Sequence, residues 1–324
     1  MLTNTTPVAE ASLPPSNPRQ ILSAQALATL NQRSNGAGAA QFGGHLGAIA
    51  ISGYLWATAP LWLALPALVV YGTALALMFC AMHECCHRTA FASPRLNDGA
   101  AWLAGLLSFY NSSFYRRYHK WHHRYTQIPG KDPELDDPKP QDLGSYLWQL
   151  SGVPWWIGKV RGHSRVALGR LDDCYYIPES GRAEVMRSLR LQLLTYAAVF
   201  AVSALLGNPW FLFTYWVLPL AVGQPVLRLV LLAEHTGCPN KANPLINTRT
   251  TLTLWPLRWI MWNMPFHAEH HLYPSIPFQQ LPAAHAQLKP YFEHVEAGYV
   301  RVNRGIVASF NADLSTDPSA ANPS

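Results

Sequence analysis

Between Leu46 and Met82 the chain carries no Asp, Glu, Lys or Arg, and a second uncharged stretch runs from Leu191 to Leu227. An α-helix rises about 1.5 Å per residue, so crossing a ~30 Å hydrocarbon core takes about 20 residues. Each stretch is close to two crossings long. Pro60 and Pro66 mark a turn in the first, and Asn208-Pro209 marks one in the second. The expected elements are helices over 46–62 and 66–87, then 190–207 and 210–233. A single buried helix of a soluble protein can be this apolar, but two uncharged segments of hairpin length favour a bilayer. The expected fold is all-α and integral to the membrane, with four transmembrane helices in two hairpins.

Composition and charge fill in the rest. Only 13% of residues are charged, against about 25% in soluble proteins. With 49% hydrophobic residues and 12 Trp, the chain is not intrinsically disordered. A net charge of +6 and a pI near 9.1 admit nucleic-acid binding, but a low-charge chain with basic inner loops fits a membrane protein better. No nucleic-acid partner is expected. The outer turns near 60–66 and 207–210 are uncharged, whereas the loop from Arg88 to Arg190 holds Arg116, Arg117, Lys120, Arg124 and Lys131. The positive-inside rule places that loop and both termini in the cytoplasm, with the bacterial cytoplasmic membrane as the expected location. Ala100–Tyr115 and Tyr146–Val160 are apolar but short, and are expected in the interface. The five cysteines form no repeated CxxC pattern and read as reduced. No basic patch and apolar run of a signal peptide opens the chain. Residues 1–44 read as a mobile tail with a short helix near Ile21–Gln32, residues 45–310 as the membrane domain, and 311–324 as a second polar tail.

Thirteen histidines are grouped rather than scattered. His83 and His87 form HECCH; His119, His122 and His123 form HKWHH; His267, His270 and His271 form HAEHH; His235 stands in LAEHTG. Residues three and four apart share a helix face, so each pattern aims its imidazoles at one point. Two of these groups close apolar segments and two lie in the cytoplasmic parts, so all four reach one membrane face as a helical cytoplasmic cap. On a helical wheel, the second group makes three stripes. One holds the histidines, a second is basic (Arg116, Arg117, Lys120, Arg124), and a third is aromatic (Phe114, Tyr118, Trp121, Tyr125). The aromatic stripe suits either the bilayer interface or ordinary core packing. Nine imidazoles exceed the positions of one transition metal, so two metals are implied; imidazole suits Zn, Cu, Fe and Ni. Glu84, Glu234 and Glu269 adjoin three of the groups. They are candidate partners for the second N–H of metal-bound histidines, or else ordinary helix carboxylates. Asn263 reads as a helix N-cap before the third group. His45, His163, His285 and His294 read as ordinary hydrogen-bonded histidines.

Three such boxes in this order, with hairpins between them, resemble the membrane fatty acid desaturase family. The residues that carry the likeness are HECCHRTAF, YHKWHHRYTQIPGKDPEL, LAEHTG and NMPFHAEHHLYPSIP, and it spans about residues 45–295. The resemblance implies a di-iron centre held by His83, His87, His119, His122, His123, His235, His267, His270 and His271, with O₂ as co-substrate. It implies desaturation of an acyl lipid or another apolar, membrane-delivered substrate. Hydroxylation or ketolation of a carotenoid, alkyl or small-molecule substrate is the alternative. Animal-type acyl-CoA relatives carry an Asn four residues before the lone His; here that position is Leu231. There is no HPGG haem motif, so electrons are expected from a separate ferredoxin-, rubredoxin- or cytochrome b5-like protein.

Two rival classes are weaker. HECCH also fits HExxH, with two zinc ligands and Glu84 as general base, as in an intramembrane metalloprotease. That reading needs one further ligand and leaves seven histidines unexplained. A metal transporter would place polar residues along its spans, and the uncharged hairpins show none.

Overall fold

The computed structural model describes residues 17–315, and its helices follow from where the apolar runs begin and stop. A short helix, α1 (Ala24–Leu30), is capped by the Ser23 hydroxyl on Ala26 N–H. The first hairpin is α2 (Asn35–Thr58) and α3 (Leu61–Cys86). Then come α4 (Pro94–Ser108) and α5 (Ser112–Tyr125), and two further helices between the hairpins, α6 (Leu143–Leu150) and α7 (Val153–Ala167). The second hairpin is α8 (Glu179–Leu205) and α9 (Leu218–His235), the latter entered through one wide π turn at Phe213–Val217. Strand β1 (Thr250–Leu252), helices α10 (Trp255–Ile260), α11 (His267–Leu272) and α12 (Leu281–Leu288), strand β2 (Val295–Ala297) and α13 (Tyr299–Ser315) complete the described chain.

Among the described residues, three helices are long and apolar enough to cross a membrane: Leu61–Cys86, Glu179–Leu205 and Phe213–His235. Their outward faces are unusually apolar for a surface, with Trp62 75% and Leu205 87% exposed. Water would not tolerate so broad a belt, whereas lipid tails match it. α2 is the antiparallel partner of α3 but is less apolar, because its inner face carries polar side chains that find partners. Gln41 donates to the Trp259 carbonyl, and fully buried His45 lies between the Ala74 carbonyl and the Trp262 indole N–H.

The core runs along α3, whose second half, from Ala74 to Cys86, is wholly buried. α3 meets α9 where Gly72 faces Gly223, and a Cβ on either would overlap the other's backbone. This is the small-residue contact by which membrane helices approach closely. A second core joins Leu22 and Leu30 to Leu272, Ile276 and Leu288, fastening the N-terminal segment beneath the third histidine group.

Several expectations need correction. The chain turns at Ala59-Pro60, and Pro66 lies inside α3, where its ring faces outward. The short helix expected near Ile21–Gln32 is α1, but α2 starts at Asn35, inside the segment expected as a tail over 1–44; residues 1–16 lie outside the described part, as do 316–324 of the expected second tail. α13 extends past residue 310 to Ser315. The fold is mostly helical rather than purely so, since β1 and β2 form a small parallel sheet with Thr250 opposite Val295. The expected Tyr146–Val160 segment is two helices, broken at Gly152, which adopts φ 75° against the Gln224 side chain.

Candidate metal centre

The site lies where α3, α5, α9 and α11 bring their ends together. His83 and His87 close α3, His119, His122 and His123 lie on one face of α5, His235 ends α9, and His267, His270 and His271 fill α11. The nine imidazoles meet, and they divide into two neighbouring groups. Ligand-capable atoms of His83, His87, His119, His123 and His270 lie within 4.8 Å of one another, and so do those of His122, His235 and His271. His267 joins the second group, its Nε2 3.2 Å from His235 Nε2 and 3.1 Å from His271 Nε2. In the first group His123 Nε2 is 2.9 Å from His119 Nε2 and 3.1 Å from His270 Nε2.

These spacings can be tested against a metal. Two ligand nitrogens bound at about 2.1 Å, at angles of about 90–109°, stand about 3.0–3.4 Å apart. Tautomers sharpen the test. His235 Nδ1 donates to the Asn247 carbonyl at 3.1 Å, so its Nε2 carries a lone pair. His122 Nδ1 donates to Asp132 Oδ1 at 2.9 Å, and its buried Nε2 has no partner. The Thr126 hydroxyl spends its hydrogen on the His122 carbonyl, so His271 Nδ1 donates to Thr126 Oγ1 at 3.2 Å. Three lone pairs of the second group therefore face one another, an arrangement that a cation stabilises and that repels without one. In the first group, buried His83 Nε2 and His87 Nε2 have no hydrogen-bond partner. The donor set fits two transition ions, five nitrogens at one position and four at the other.

Asp132, Thr126 and the Asn247 carbonyl were not among the sequence candidates. Asp132 is fully buried; its Oδ2 accepts from Gln127 N–H at 2.8 Å and its Oδ1 from Glu134 N–H at 3.0 Å. Burial alone would raise this carboxyl, but the hydrogen bond from His122, with those from the two N–H groups, holds it below the usual carboxylate range. Glu134 reaches within 4.8 Å of ligand atoms of His119 and His122. Both acids lie in the KDPEL run that follows HKWHH. An acidic turn directly after a metal-facing helix is the signal that could have found them.

The three glutamates picked from sequence part company. Glu234 Oε2 lies 3.4 Å from His267 Nε2, and its other oxygen is buried without a partner. Glu84 accepts from Phe278 N–H at 2.9 Å and makes no hydrogen bond to any of the nine histidines. Glu269 binds His285 Nδ1 and the Thr250 hydroxyl, both at 2.5 Å, behind α11. Glu84 is thus not placed as the general base of a one-zinc site. Asn263 does not cap α11; it adopts φ 55° and donates to the Phe278 carbonyl, and Phe266 occupies the cap position. The aromatic stripe of α5 is covered by protein: Phe114 and Tyr118 pack on Tyr176, and Trp121 on Tyr175. Of the basic stripe, Arg116 pairs with Asp98 and Arg117 with Glu184, while Lys120 and Arg124 stay exposed.

A cavity of about 780 Å³ opens on the histidines, lined by His83, His119, His122, His267, Glu234 and Leu231 at its inner end and by Phe79, Tyr110, Tyr118 and Trp155 farther out. It has the size and mostly apolar lining of a small-molecule site.

Comparison with known proteins agrees with this geometry. The family model described as fatty acid desaturase matches residues 60–303. An sn-1 oleoyl-lipid 12-desaturase of Picosynechococcus is 26% identical over 253 residues, 72% of each chain. The human sphingolipid delta(4)-desaturase/C4-monooxygenase is 28% identical over 220 residues, 66% of this chain and 62% of its own. A sphingolipid delta(4)-desaturase-like protein of Arabidopsis thaliana is 24% identical over 223 residues, 68% and 61% of the two chains.

Proposed function

The chain belongs to the fatty acid desaturase family, and from that premise we propose that it places a double bond in an acyl lipid or another apolar chain delivered through the bilayer, using O₂ and two irons. The two adjacent imidazole groups at the end of a mostly apolar cavity carry this reading. The relatives' names, which give an oleoyl lipid and a sphingolipid as substrates, support a long-chain lipid. His83, His87, His119, His123 and His270 would hold one ion, and His122, His235, His267 and His271 the other. Bound iron would supply O₂ activation and removal of hydrogen from an unactivated C–H bond. The protein's part is to orient and exclude. Asp132, Thr126 and the Asn247 carbonyl fix three imidazoles with their lone pairs inward. The aromatic wall holds an apolar chain and keeps bulk water from the reacting carbon. Glu234 offers a carboxylate oxygen beside His267 for holding a proton.

Desaturation and hydroxylation start from the same C–H cleavage and part by placement, where a shift of about 1 Å matters. Purified, iron-loaded protein supplied with a reduced donor and acyl lipid under isotopically labelled oxygen should yield an alkene without label. A labelled alcohol as main product would overturn the assignment.

The same proposal includes topology. α2, α3, α8 and α9 cross the bilayer, and both termini and the histidines face the cytoplasm, where a separate ferredoxin-, rubredoxin- or cytochrome b5-like donor meets exposed Lys120 and Arg124. Each of these helices is at least 18 residues long, and the turn at Ala59-Pro60 is uncharged. Reporters fused in that turn and at the C-terminus should lie on opposite sides. Finding both on one side would defeat the four-span arrangement.

A further inference from the structure

Lys159 on α7 and Arg228 on α9 stand side by side in the wall of the cavity that ends at the histidines, and no carboxylate pairs with either among the described residues. Of the other two cations that line the cavity, Arg165 pairs with Asp173 and Arg170 makes no ion pair among the described residues. Two like charges in a half-buried wall repel, and leaving them uncompensated is costly. Tyr110 stands between them. Its phenolic oxygen accepts from Arg228 Nη2 at 2.8 Å and from Trp155 Nε1 at 2.9 Å, and the Lys159 ammonium sits 3.6 Å above its ring. An oxygen that accepts twice still has its own O–H to give, and no acceptor for it is present among the described residues. The buried Nε of Arg228 also lacks a partner. The Lys159 ammonium, the Tyr110 hydroxyl and the Arg228 guanidinium are therefore three groups that each keep a donor to spare, the Arg228–Tyr110 bond notwithstanding. Burial, and then the Arg228 charge, push the Lys159 ammonium down to about 7, against a smaller opposing pull from Asp137, which lines the same cavity without pairing with Lys159.

We propose that Lys159, Arg228 and Tyr110 hold an anionic group of the substrate, so that the protein selects a chain ending in a carboxylate or phosphate over a neutral lipid of the same length. The placement suits this role. Arg228 precedes His235 by seven residues on one helix, about 10 Å along its axis. Tyr110 packs at 4.7 Å on Phe79, one turn before His83. A chain anchored by its charged end at this cluster runs along the apolar wall to the imidazoles, and the reacting carbon lies several bonds from the head. Only that last consequence rests on the desaturase reading; the binding preference does not.

The test is binding without turnover. Labelled stearate, a lysophosphatidate with the same chain, and methyl stearate are each equilibrated with the purified, metal-loaded protein in nanodiscs, with no electron donor present. One or both anions should bind at least about tenfold tighter than the ester, as the loss of a charge-assisted hydrogen bond implies, and whichever anion binds tighter identifies the source of the charge. Raised salt should narrow the gap. Lys159→Gln, alone and with Arg228→Gln, should erase the preference while leaving ester binding unchanged, and Lys159→Arg should restore most of it. Should the double variant fail to fold, the wild-type comparison and Lys159→Gln still decide. Equal binding of acid and ester by the wild type, or a preference retained in folded Lys159→Gln, would overturn the proposal. A protein that shows the preference but makes no double bond would defeat the desaturase reading and leave this one standing.

Discussion

Alanine in place of His123 is expected to lower turnover by more than about 100-fold, the upper end of what losing even an outer partner of a metal costs, and to reduce bound iron from two per chain. His123 is the imidazole with most to lose. Its Nε2 lies 2.9 Å from His119 Nε2 and 3.1 Å from His270 Nε2, and its ring stacks at 4.2 Å on His271 of the other group. Removing it takes one nitrogen from the five and opens a gap between the two groups. His294→Ala is the matched control. That side chain lies outside the site, near Glu293, and its loss should leave iron and turnover unchanged. Metal analysis alongside product assay measures both. Full activity in His123→Ala, or a wild-type protein active with a single zinc, would sink the di-iron reading.

The parts of this molecule that sequence made legible are those that depend on burial and spacing alone. Uncharged runs mark α3, α9 and the second half of α8 because a bilayer penalises every charge, whereas α8 starts at Glu179, before the expected 190, with five charged residues in its first turns; helical spacing collects the histidines because i, i+3 and i+4 share a face. Neither rule says what a face is buried against. The aromatic side of α5 looks the same whether it meets lipid or Tyr175 and Tyr176. α2 starts earlier than its apolar run for a related reason. Its first turns pack on protein, with Gly38 against Ala90 and Phe91 and Gln41 on the Trp259 carbonyl, so they carry glycine and amide where a lipid-facing turn would carry leucine. Pro66 reads as a turn residue, yet it sits in the second turn of α3 with its ring exposed. Asn247 acts through a carbonyl, a group every residue has, so no residue type marks the position.

Asp132→Asn is expected to remove iron chiefly from the second group, taking the protein from two irons towards one, with a fall in turnover of about 10–100-fold. Asp132 accepts from His122 Nδ1–H and Glu134 N–H through Oδ1 and from Gln127 N–H through Oδ2. Asparagine keeps the shape but makes one of the two positions an NH₂ group. If the amide faces His122, donor meets donor, the imidazole loses the partner that keeps its proton on Nδ1, and its Nε2 no longer reliably offers a lone pair. If it faces Gln127, a buried N–H is left unmade, at about 1–3 kcal/mol. The His122 bond then survives at lower strength, because a neutral acceptor replaces a charged one. The first group depends on none of these contacts: His83, His87, His119, His123 and His270 make no hydrogen bond to Asp132. A merely structural role would lower the melting temperature and empty both positions together. Orientation of His122 predicts a folded protein with about half its iron and an altered iron spectrum. Two irons and undiminished turnover in the variant would show that His122 does not rely on Asp132.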